Sequence, residues 1–387
     1  MAFNILIVDD EPDLEQLIKQ KFRREIKEKV LKFSSAYDGL EALNQLENNG
    51  HIDLVLTDIN MPRMDGLTLL EKLNTRENTN ILKTVIISAY GDMQNIRRAM
   101  NLGAFDFITK PINFKDLEIT IQKTINEIIH IRKAKEIHEK YMKIQNELNI
   151  AKNIQRSILP TKTINPQYSK MLEFDVEIIP AGQVGGDFYD YFMIDENLLG
   201  FVIGDVAGKG IPASIFMALC KTAIKTLALH EHSVEQCFHV VNNMLVEEYR
   251  NDLFVTAFFG TLDVRNGKLQ YCNAGHNQTY IKQFDGKVKE LPEVEGIPLG
   301  FKKDYAYSMG SMTLNSGDVL FMHTDGVNEA MDVDENEFSE KRIIACLEQF
   351  SNGSMADLNK TILDEIAEFC GNSGQSDDLT VFSLQYL

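Results

Sequence analysis

Three aspartates in the N-terminal third of the sequence could bind a divalent cation. Asp9 and Asp10 end one apolar run, and Asp58 ends another. Carboxylates packed together raise one another's pKa unless a cation lies between them, and Mg²⁺ with oxygen ligands meets that need. Ser88 and Lys110 end two further apolar runs. Lys110 would add positive charge to such a site, and Ser88 would offer a hydroxyl donor to a bound phosphoryl group.

A second group of aspartates lies in four short motifs of the C-terminal half. The motifs are GGDFYD with Asp187, GDVAGKG with Asp205, TDG with Asp325, and SDDLT with Asp377 and Asp378. Any one of these residues alone is more often a turn former than a ligand. Together, aspartates without His or Cys favour Mg²⁺ or Mn²⁺. Because two such ions about 3.5–4 Å apart can activate a water for attack on phosphorus, the motifs predict a two-metal site.

The N-terminal group can meet only if the strands that carry it are parallel neighbours. Five apolar runs, each followed by an amphipathic segment, predict a doubly wound, flavodoxin-like sheet of five parallel strands with helices on both faces. The runs are NILIVDD, LKFSSA, IDLVLTDI, KTVIISAY and AFDFITKP. In open sheets of this kind, ligands bind beyond the carboxyl ends of the strands. Asp9, Asp58 and Lys110 all lie at such ends.

The C-terminal half shows a different pattern of short strands with hairpin signals. Asn266-Gly267 separates the runs FVTAFFGTLDV and KLQYCNAG, and this dipeptide is a strong hairpin signal. Helical patterns interrupt the strands near residues 213–229 and 234–249. We therefore expect an α+β domain with two mostly antiparallel sheets flanked by helices.

A long helix is predicted between these two regions. Residues from about 116 to 157 contain no Gly or Pro, and Pro160 cannot continue a helix. An apolar seam with 4-3 spacing, interrupted by Gln155, predicts either a dimeric coiled coil or a helix packed on its own domain. The residues of this apolar seam are Ile137, Tyr141, Ile144, Leu148, Ala151 and Ile158.

Length and composition fit two soluble domains with a connector. The 387 residues exceed one typical core, and we divide them into residues 1–126, a helical linker over 127–160, and residues 161–387. The net charge of -18 argues against nucleic acid and anionic membrane as partners. Five scattered cysteines without a CxxC pair fit a reducing cytoplasm. The N-terminal run is too short for a signal peptide or a membrane anchor.

The N-terminal groups, in their order and spacing, resemble the receiver domain of two-component response regulators over about residues 3–125. The resemblance implies that a sensor histidine kinase phosphorylates Asp58 and that Ser88 and Lys110 bind the phosphoryl oxygens. Phe107 is either the family's aromatic switch residue or a plain core aromatic. The implied Mg²⁺ ligands are Asp9, Asp10, Asp58 and the Asn60 carbonyl.

The C-terminal motifs resemble the stage II sporulation E-like branch of the metal-dependent (PPM-type) protein phosphatases. The match runs from about residue 151 to the C-terminus and includes AKNIQRSILP, GDVAGKGIPASIFMA, NAGHN and GIPLG besides the aspartate motifs. The resemblance implies two Mn²⁺ or Mg²⁺ ions, of which Asp205 bridges both. It assigns Asp325 and Asp377 to one ion, Asp187 and the Val206 carbonyl to the other, and Asp378 to a place beside them.

This second resemblance also implies an activity, which is hydrolysis of phosphoserine or phosphothreonine by a metal-bound hydroxide. The usual substrate in this branch is a phosphorylated anti-sigma factor antagonist. Lys209 stands where the family often has His, and His276 is either a proton donor or a structural residue. Together the two resemblances predict that phosphorylation of Asp58 controls a phosphatase. The alternative is a catalytically silent, phosphatase-like binding module, and the receiver could also serve only for docking.

Overall fold

The computed structural model describes residues 2–48, 51–75, 81–161, 170–230, 233–248, 253–351 and 353–387. The chain forms two compact units, Met1–Ile144 and Gln145–Leu387. The division between the units lies within one long helix.

The first unit is built on a five-stranded parallel sheet with the strand order β2-β1-β3-β4-β5. Its strands are β1 Phe3–Val8, β2 Leu31–Ala36, β3 Leu54–Asp58, β4 Lys83–Ala89 and β5 Asp106–Lys110. Its shorter helices are α1 Pro12–Lys21, α2 Arg23–Lys27, α3 Gly39–Asn48, α4 Gly66–Asn74 and α5 Met93–Asn101. The five predicted strands and their parallel arrangement are confirmed.

Both faces of this sheet are buried, as the continuous apolar runs predict. Ile5 and Ile7 of β1 face one core cluster, and the alternate residues Leu6 and Val8 face another. Side chains alternate between the faces of a strand, so a strand covered on both sides must be apolar throughout. This burial fixes the strand ends that carry the polar residues.

The long helix α6 runs over Phe114–Ile158, which is 45 residues. Its first turns bury Leu117, Ile121 and Ile125 in the core of the first unit. The first three residues of the apolar seam are exposed, with Ile137 at 67%, Tyr141 at 57% and Ile144 at 55%. The predicted continuous helix is confirmed by these bounds. The coiled-coil dimer stays a prediction.

The second unit contains two five-stranded antiparallel sheets. The first sheet has the order β13-β10-β9-β8-β7 and the second β12-β11-β14-β15-β6. The strands are β6 Leu172–Ile179, β7 Phe188–Met193, β8 Leu198–Val206, β9 Val255–Asp263, β10 Lys268–Ala274, β11 Tyr280–Lys282, β12 Val288–Glu290, β13 Gly310–Thr313, β14 Val319–His323 and β15 Leu379–Tyr386. The helices are α7 Ile211–Ala228, α8 Val234–Glu248, α9 Asp325–Asn328, α10 Ser339–Gln349 and α11 Met355–Cys370.

The two sheets pack face to face, with helices on both outer faces. Phe201 and Phe258 of the first sheet share a core cluster with Phe382 of the second. The outer face of the first sheet packs against α7 and α8, and that of the second packs against α10 and α11. The predicted α+β architecture and the hairpin at residues 266–267 are confirmed, since β9 and β10 pair in antiparallel register.

Helix α7 is an apolar core helix. By length and by a mean hydropathy of 1.3 it could span a membrane, and it is the one helix among the described residues that could. Its Ala213, Met217, Cys220 and Ile224 are fully buried in the cluster that it shares with the first sheet. Its apolar character is therefore explained by packing within the unit.

Candidate functional sites

The N-terminal site lies at the carboxyl edge of the parallel sheet. The carboxylate oxygens of Asp9, Asp10 and Asp58 lie within 4.8 Å of one another. Lys110 Nζ, at the end of β5, donates to Asp9 Oδ2 at 3.0 Å and to Asp58 Oδ2 at 2.8 Å. The structure therefore brings together the carboxylates and the lysine that the sequence predicts.

The charges of this site compensate one another. Burial raises the pKa of Asp9, although hydrogen bonds from the Glu11 amide and Lys110 oppose the shift. Burial also disfavours the charged form of Lys110, but its hydrogen bonds to Asp58 and Asp9 outweigh that cost and raise its pKa. Lys110 is therefore a cation over the whole physiological pH range and partly neutralises the carboxylates.

Two further residues fit a site for a cation and a phosphoryl group. Ser88 Oγ is buried and has no hydrogen-bond partner among the described residues, which is costly unless a ligand satisfies it. Asn60 lies two residues beyond Asp58 in the loop after β3, where its carbonyl is predicted to bind Mg²⁺.

Phe107 is 37% exposed, which favours a switch position over a fully buried core aromatic.

The C-terminal site lies where ends of the two antiparallel sheets meet. Asp187 directly precedes β7, and Asp205 is the next-to-last residue of β8. Asp325 begins α9 after β14, and Asp377 and Asp378 precede β15. The first and second sheets therefore contribute two strands each. The four motifs, whose outermost aspartates Asp187 and Asp378 lie 191 positions apart in the sequence, come together at this one edge.

The carboxylates of the C-terminal site repel one another. Asp187 is 1% exposed, and burial followed by the charge of Asp205 raises its pKa well above the usual range. Burial and the charge of Asp325 raise the pKa of Asp205 to about 7. Burial and the charge of Asp377 raise the pKa of Asp325. Ionising all of these carboxylates together is therefore costly unless a cation lies among them.

The donor set fits hard divalent cations. It consists of carboxylate oxygens and the Val206 carbonyl, which lies 2.9 Å from an ideal Cβ placed on Gly186, and oxygen ligands suit Mg²⁺ and Mn²⁺. Lys209 Nζ contacts Asp377 Oδ2 at 2.9 Å, but both side chains are well exposed. Among the described residues, no three of these carboxylates meet within 4.8 Å, so the set is wider than the single-ion cluster of the first unit.

Asp378 supports the loop that carries Asp187. Its Oδ1 accepts from the Ala181 amide at 2.8 Å, and its Oδ2 accepts from the Gly186 amide at 2.8 Å and from the Asp187 amide at 3.5 Å. Both oxygens are thus engaged by backbone donors. Direct contact of Asp378 with a cation stays a prediction, whereas the structure shows its hydrogen bonds to the loop before β7.

The two glycines of the GGDFYD motif permit this close approach. A Cβ on Gly185 would lie 2.0 Å from Asp378 Oδ2, and one on Gly186 would lie 3.4 Å from Asp205 Oδ1. A side chain at position 185 would displace Asp378, and one at position 186 would press on the Val206 carbonyl, 2.9 Å from its Cβ. The loop therefore passes between the two carboxylates only because it lacks side chains there.

Two threonines that sequence reasoning missed orient Asp187. Thr324 Oγ1 and Thr380 Oγ1 donate to Asp187 Oδ2 at 2.7 and 2.5 Å. Both hydroxyls favour the ionised carboxylate and fix its rotamer. Their only sequence signal is their position in the TDG and SDDLT motifs.

His276 is a buried, neutral residue beside this site. Its Nδ1 lies 3.1 Å from Thr256 Oγ1, and burial, with a smaller effect of His323, lowers its pKa to about 3. Its backbone amide is held by Asn273 Oδ1 at 2.7 Å. These contacts favour the structural role over that of a proton donor.

Comparison with known proteins identifies the two domains that carry these sites. A family model for the response regulator receiver domain matches residues 5–122, and one for stage II sporulation protein E (SpoIIE) matches residues 195–387. The phosphoserine phosphatase RsbU of Bacillus subtilis is 28% identical over 274 residues, which cover 70% of this chain and 79% of RsbU. A protein of Rhizobium etli named Probable chemotaxis protein CheY is 30% identical over 118 residues, which cover 30% of this chain and 88% of that protein.

Comparison with a solved structure shows the fold of the second unit. The SiaA PP2C domain of Pseudomonas aeruginosa superposes with a TM-score of 0.56 at 24% identity, covering 64% of this chain and 99% of that domain. The second unit therefore has the PP2C fold. The chain belongs to the response regulators, with a receiver domain joined to a metal-dependent serine/threonine phosphatase domain of the stage II sporulation protein E family.

Proposed function

We propose that this protein is a two-component response regulator in which phosphorylation of Asp58 controls its serine/threonine phosphatase. We further propose that the substrate is a phosphorylated anti-sigma factor antagonist. The observation that carries the enzymatic part is the gathering of aspartates from four separate motifs at one edge of two sheets. The similarity to a phosphoserine phosphatase supports the same conclusion.

The phosphatase site would hold two Mn²⁺ or Mg²⁺ ions. Asp205 would lie between them, Asp325 and Asp377 would bind one, and Asp187 and the Val206 carbonyl would bind the other. When bound, the two cations supply an activated water for in-line attack on phosphorus and neutralise the charge that develops.

The surrounding residues of the chain would prepare this site for its cations. Thr324 and Thr380 donate to Asp187 Oδ2, which opposes the rise in the pKa of Asp187 and fixes its rotamer. Asp378 keeps the loop before β7 in place. Because its pKa is about 3, His276 is neutral near pH 7 and leaves the charge of the site unchanged.

The receiver site would accept a phosphoryl group on Asp58. A carboxylate oxygen of Asp58 attacks the phosphorus of a phosphohistidine on a sensor histidine kinase, an O–P bond forms, and the N–P bond breaks with the electron pair left on the imidazole. Mg²⁺, held by Asp9, Asp10, Asp58 and the Asn60 carbonyl, neutralises charge when bound. Lys110, at 2.8 Å from Asp58 Oδ2, and the unsatisfied hydroxyl of Ser88 would then contact the phosphoryl oxygens.

We propose that α6 carries the signal from the receiver to the phosphatase. This helix is continuous from the receiver core into the second unit. Coupling of about 1–3 kcal/mol would change the phosphatase rate about 5- to 150-fold. The rate should therefore change when beryllofluoride, which mimics a phosphoryl group, is added to the wild type, and should not change in Asp58→Asn. Equal responses of the two proteins would contradict control through Asp58.

We also propose that the protein is a cytoplasmic homodimer that pairs through its helical linker. The proposed divisions are the receiver over residues 1–126, the linker over 127–160 and the phosphatase over 161–387. The exposed Ile137, Tyr141 and Ile144 support pairing, because exposed apolar residues at 4-3 spacing suit a coiled coil. The net charge of -18 disfavours nucleic acid and anionic membrane as partners.

The substrate is tested with purified full-length protein and Mn²⁺. We expect release of phosphate from a serine-phosphorylated anti-sigma factor antagonist, faster than from an unrelated phosphoprotein at the same concentration. Release from a small model phosphoester without release from the antagonist would retain the enzyme and reject the substrate. No Mn²⁺-dependent release from either would favour the silent binding module.

A further inference from the structure

Gln155 forms an unusual contact between the end of α6 and the metal site of the phosphatase. Its Nε2 donates to the Gly185 carbonyl at 2.7 Å, and its Oε1 accepts from the Gly185 amide at 3.2 Å. Both distances are those of ordinary hydrogen bonds. One side-chain amide thus satisfies both backbone groups of one residue, two positions before Asp187.

The held loop is fixed from a second direction by Asp378. That carboxylate accepts from the Ala181 and Gly186 amides, on either side of Gly185. The backbone at Gly185 is so close that a Cβ there would lie 2.0 Å from Asp378 Oδ2. Gln155 on one side and Asp378 on the other therefore determine the path of the loop into Asp187.

The contact also explains the one polar residue in the apolar seam of α6. Leu159, four residues beyond Gln155, packs against both core clusters that include the first sheet, and Ile158 is half-buried. This end of the helix therefore lies on the phosphatase unit. An apolar residue at position 155 would leave the amide and carbonyl of Gly185 without this partner, at the cost of unsatisfied backbone groups.

We propose that Gln155 is a positioning residue for the phosphatase metal site and that cation affinity depends on its two hydrogen bonds. This inference rests on the proposed two-metal site. Each residue of a helix advances it by 1.5 Å and turns it by 100°. A shift of α6 by one residue would therefore break both bonds at once, so the register of the linker would set the affinity of the metal site.

Three substitutions separate hydrogen bonding from helix packing. Gln155→Ala removes both bonds and keeps a strong helix former. Gln155→Glu keeps the length of the side chain and an acceptor for the Gly185 amide but sets an oxygen against the Gly185 carbonyl. Asn153→Ala removes an exposed amide two residues away and serves as the matched control.

The experiment measures equilibrium binding of Mn²⁺ to the full-length protein by electron paramagnetic resonance of the free ion. The variant Asp205→Asn serves as the reference, because the Mn²⁺ that it still binds measures the contribution of the receiver. Loss of a direct outer contact to a metal ligand weakens binding about 10- to 100-fold. Because Gln155 acts on Asp187 through the backbone of Gly185, we expect Gln155→Ala and Gln155→Glu to raise the Mn²⁺ dissociation constant by about the lower figure, tenfold. Their phosphatase rates should approach the wild-type rate at saturating Mn²⁺.

The outcomes distinguish this inference from the proposed function. If the wild type and Asp205→Asn bind Mn²⁺ equally, the proposed metal site is wrong. If the wild type shows sites that depend on Asp205 and both Gln155 variants match it, only the role of Gln155 is wrong. Circular dichroism establishes that each variant is folded, and a tenfold loss in Asn153→Ala as well would show a general effect of the helix.

Discussion

The receiver and phosphatase sites both gather carboxylates at strand ends, but they balance the charge differently. In the receiver, Lys110 contacts both Asp9 and Asp58. In the phosphatase, Lys209 contacts the exposed Asp377, while burial and mutual repulsion raise the pKa values of Asp187 and Asp205. The receiver thus carries its own counterion, whereas the phosphatase depends on cations from solution.

The largest effect should come from replacing Asp205, the proposed bridging ligand of the phosphatase. Asp205→Asn keeps the size of the side chain, and we expect the Mn²⁺-dependent rate to fall to below about 1% of wild type, because the bridge organises both ions. Asp285→Asn, at an exposed turn, is the control and should keep the full rate. Phosphate release measures both, and a near-normal rate in Asp205→Asn would refute the assigned site.

Removal of divalent cations should lower the stability of the phosphatase unit more than that of the receiver. A ligand at 100 times its dissociation constant stabilises the unit that binds it by about 2.7 kcal/mol. We expect Mn²⁺ to increase hydrogen-exchange protection around β7, β8 and β15 strongly, and to change the receiver strands less. Chelation with EDTA should reverse the effect. Equal protection of both units would show that the built-in counterion of the receiver makes no difference.

Loss of the Lys110 counterion should make the stability of the receiver depend on divalent cations, as is expected for the phosphatase. Lys110→Ala leaves Asp9 and Asp58 without their cation, and hydrogen bonds to charged groups contribute about 1.5–3 kcal/mol. We expect the unfolding free energy of the receiver to fall by about that amount in EDTA and by less in excess Mg²⁺. Lys115→Ala, at an exposed position, is the control for urea unfolding. A loss that Mg²⁺ does not reduce would argue against shared charge compensation.

The smallest effect should be a dependence of phosphatase stability on pH. His276 has a folded-state pKa of about 3 against an ordinary value of 6.5, so the unfolded chain takes up a proton first as the pH falls. Its contribution is complete above pH 6.5 and is lost as the pH decreases towards about 3. We expect protonation of His276 alone to account for about 1 kcal/mol less stability between about pH 7.5 and pH 5.5, measured in excess Mn²⁺ because the raised pKa values of Asp187 and Asp205 give the cation-free unit the opposite slope. This slope should decrease in His276→Asn and persist in His230→Asn, whose imidazole is exposed.

Local patterns predicted most of the fold. Continuous apolar runs identify β1 to β5, and the absence of Gly and Pro identifies α6. The patterns also predict α7 and α8 but not α10 and α11, although Ser354 and Asp357 form a capping box at the start of α11. Short strands such as β11 and β12, with three residues each, are too brief for a periodicity to show.

The candidate sites were predicted less completely than the fold. Aspartate motifs identify the groups with charge, because their composition alone indicates hard cations. The contacts that orient these groups depend on tertiary structure. Thr380 lies 193 residues from Asp187 in sequence, and the pairing of Gln155 with Gly185 follows from how the end of α6 packs. Spacing within a motif carries no information about such distant partners.

The crowding around Gly185 has a consequence for reading mutational surveys of this enzyme. Glycine has no reactive group, yet a single added methyl at this position would collide with Asp378 Oδ2 and displace the loop. A screen that scores only lost turnover would rank Gly185 with the proposed metal-binding aspartates. The contribution of Gly185 is the space that it leaves for Asp378, so loss of turnover on its substitution reports the loss of that space and not the loss of a reactive group.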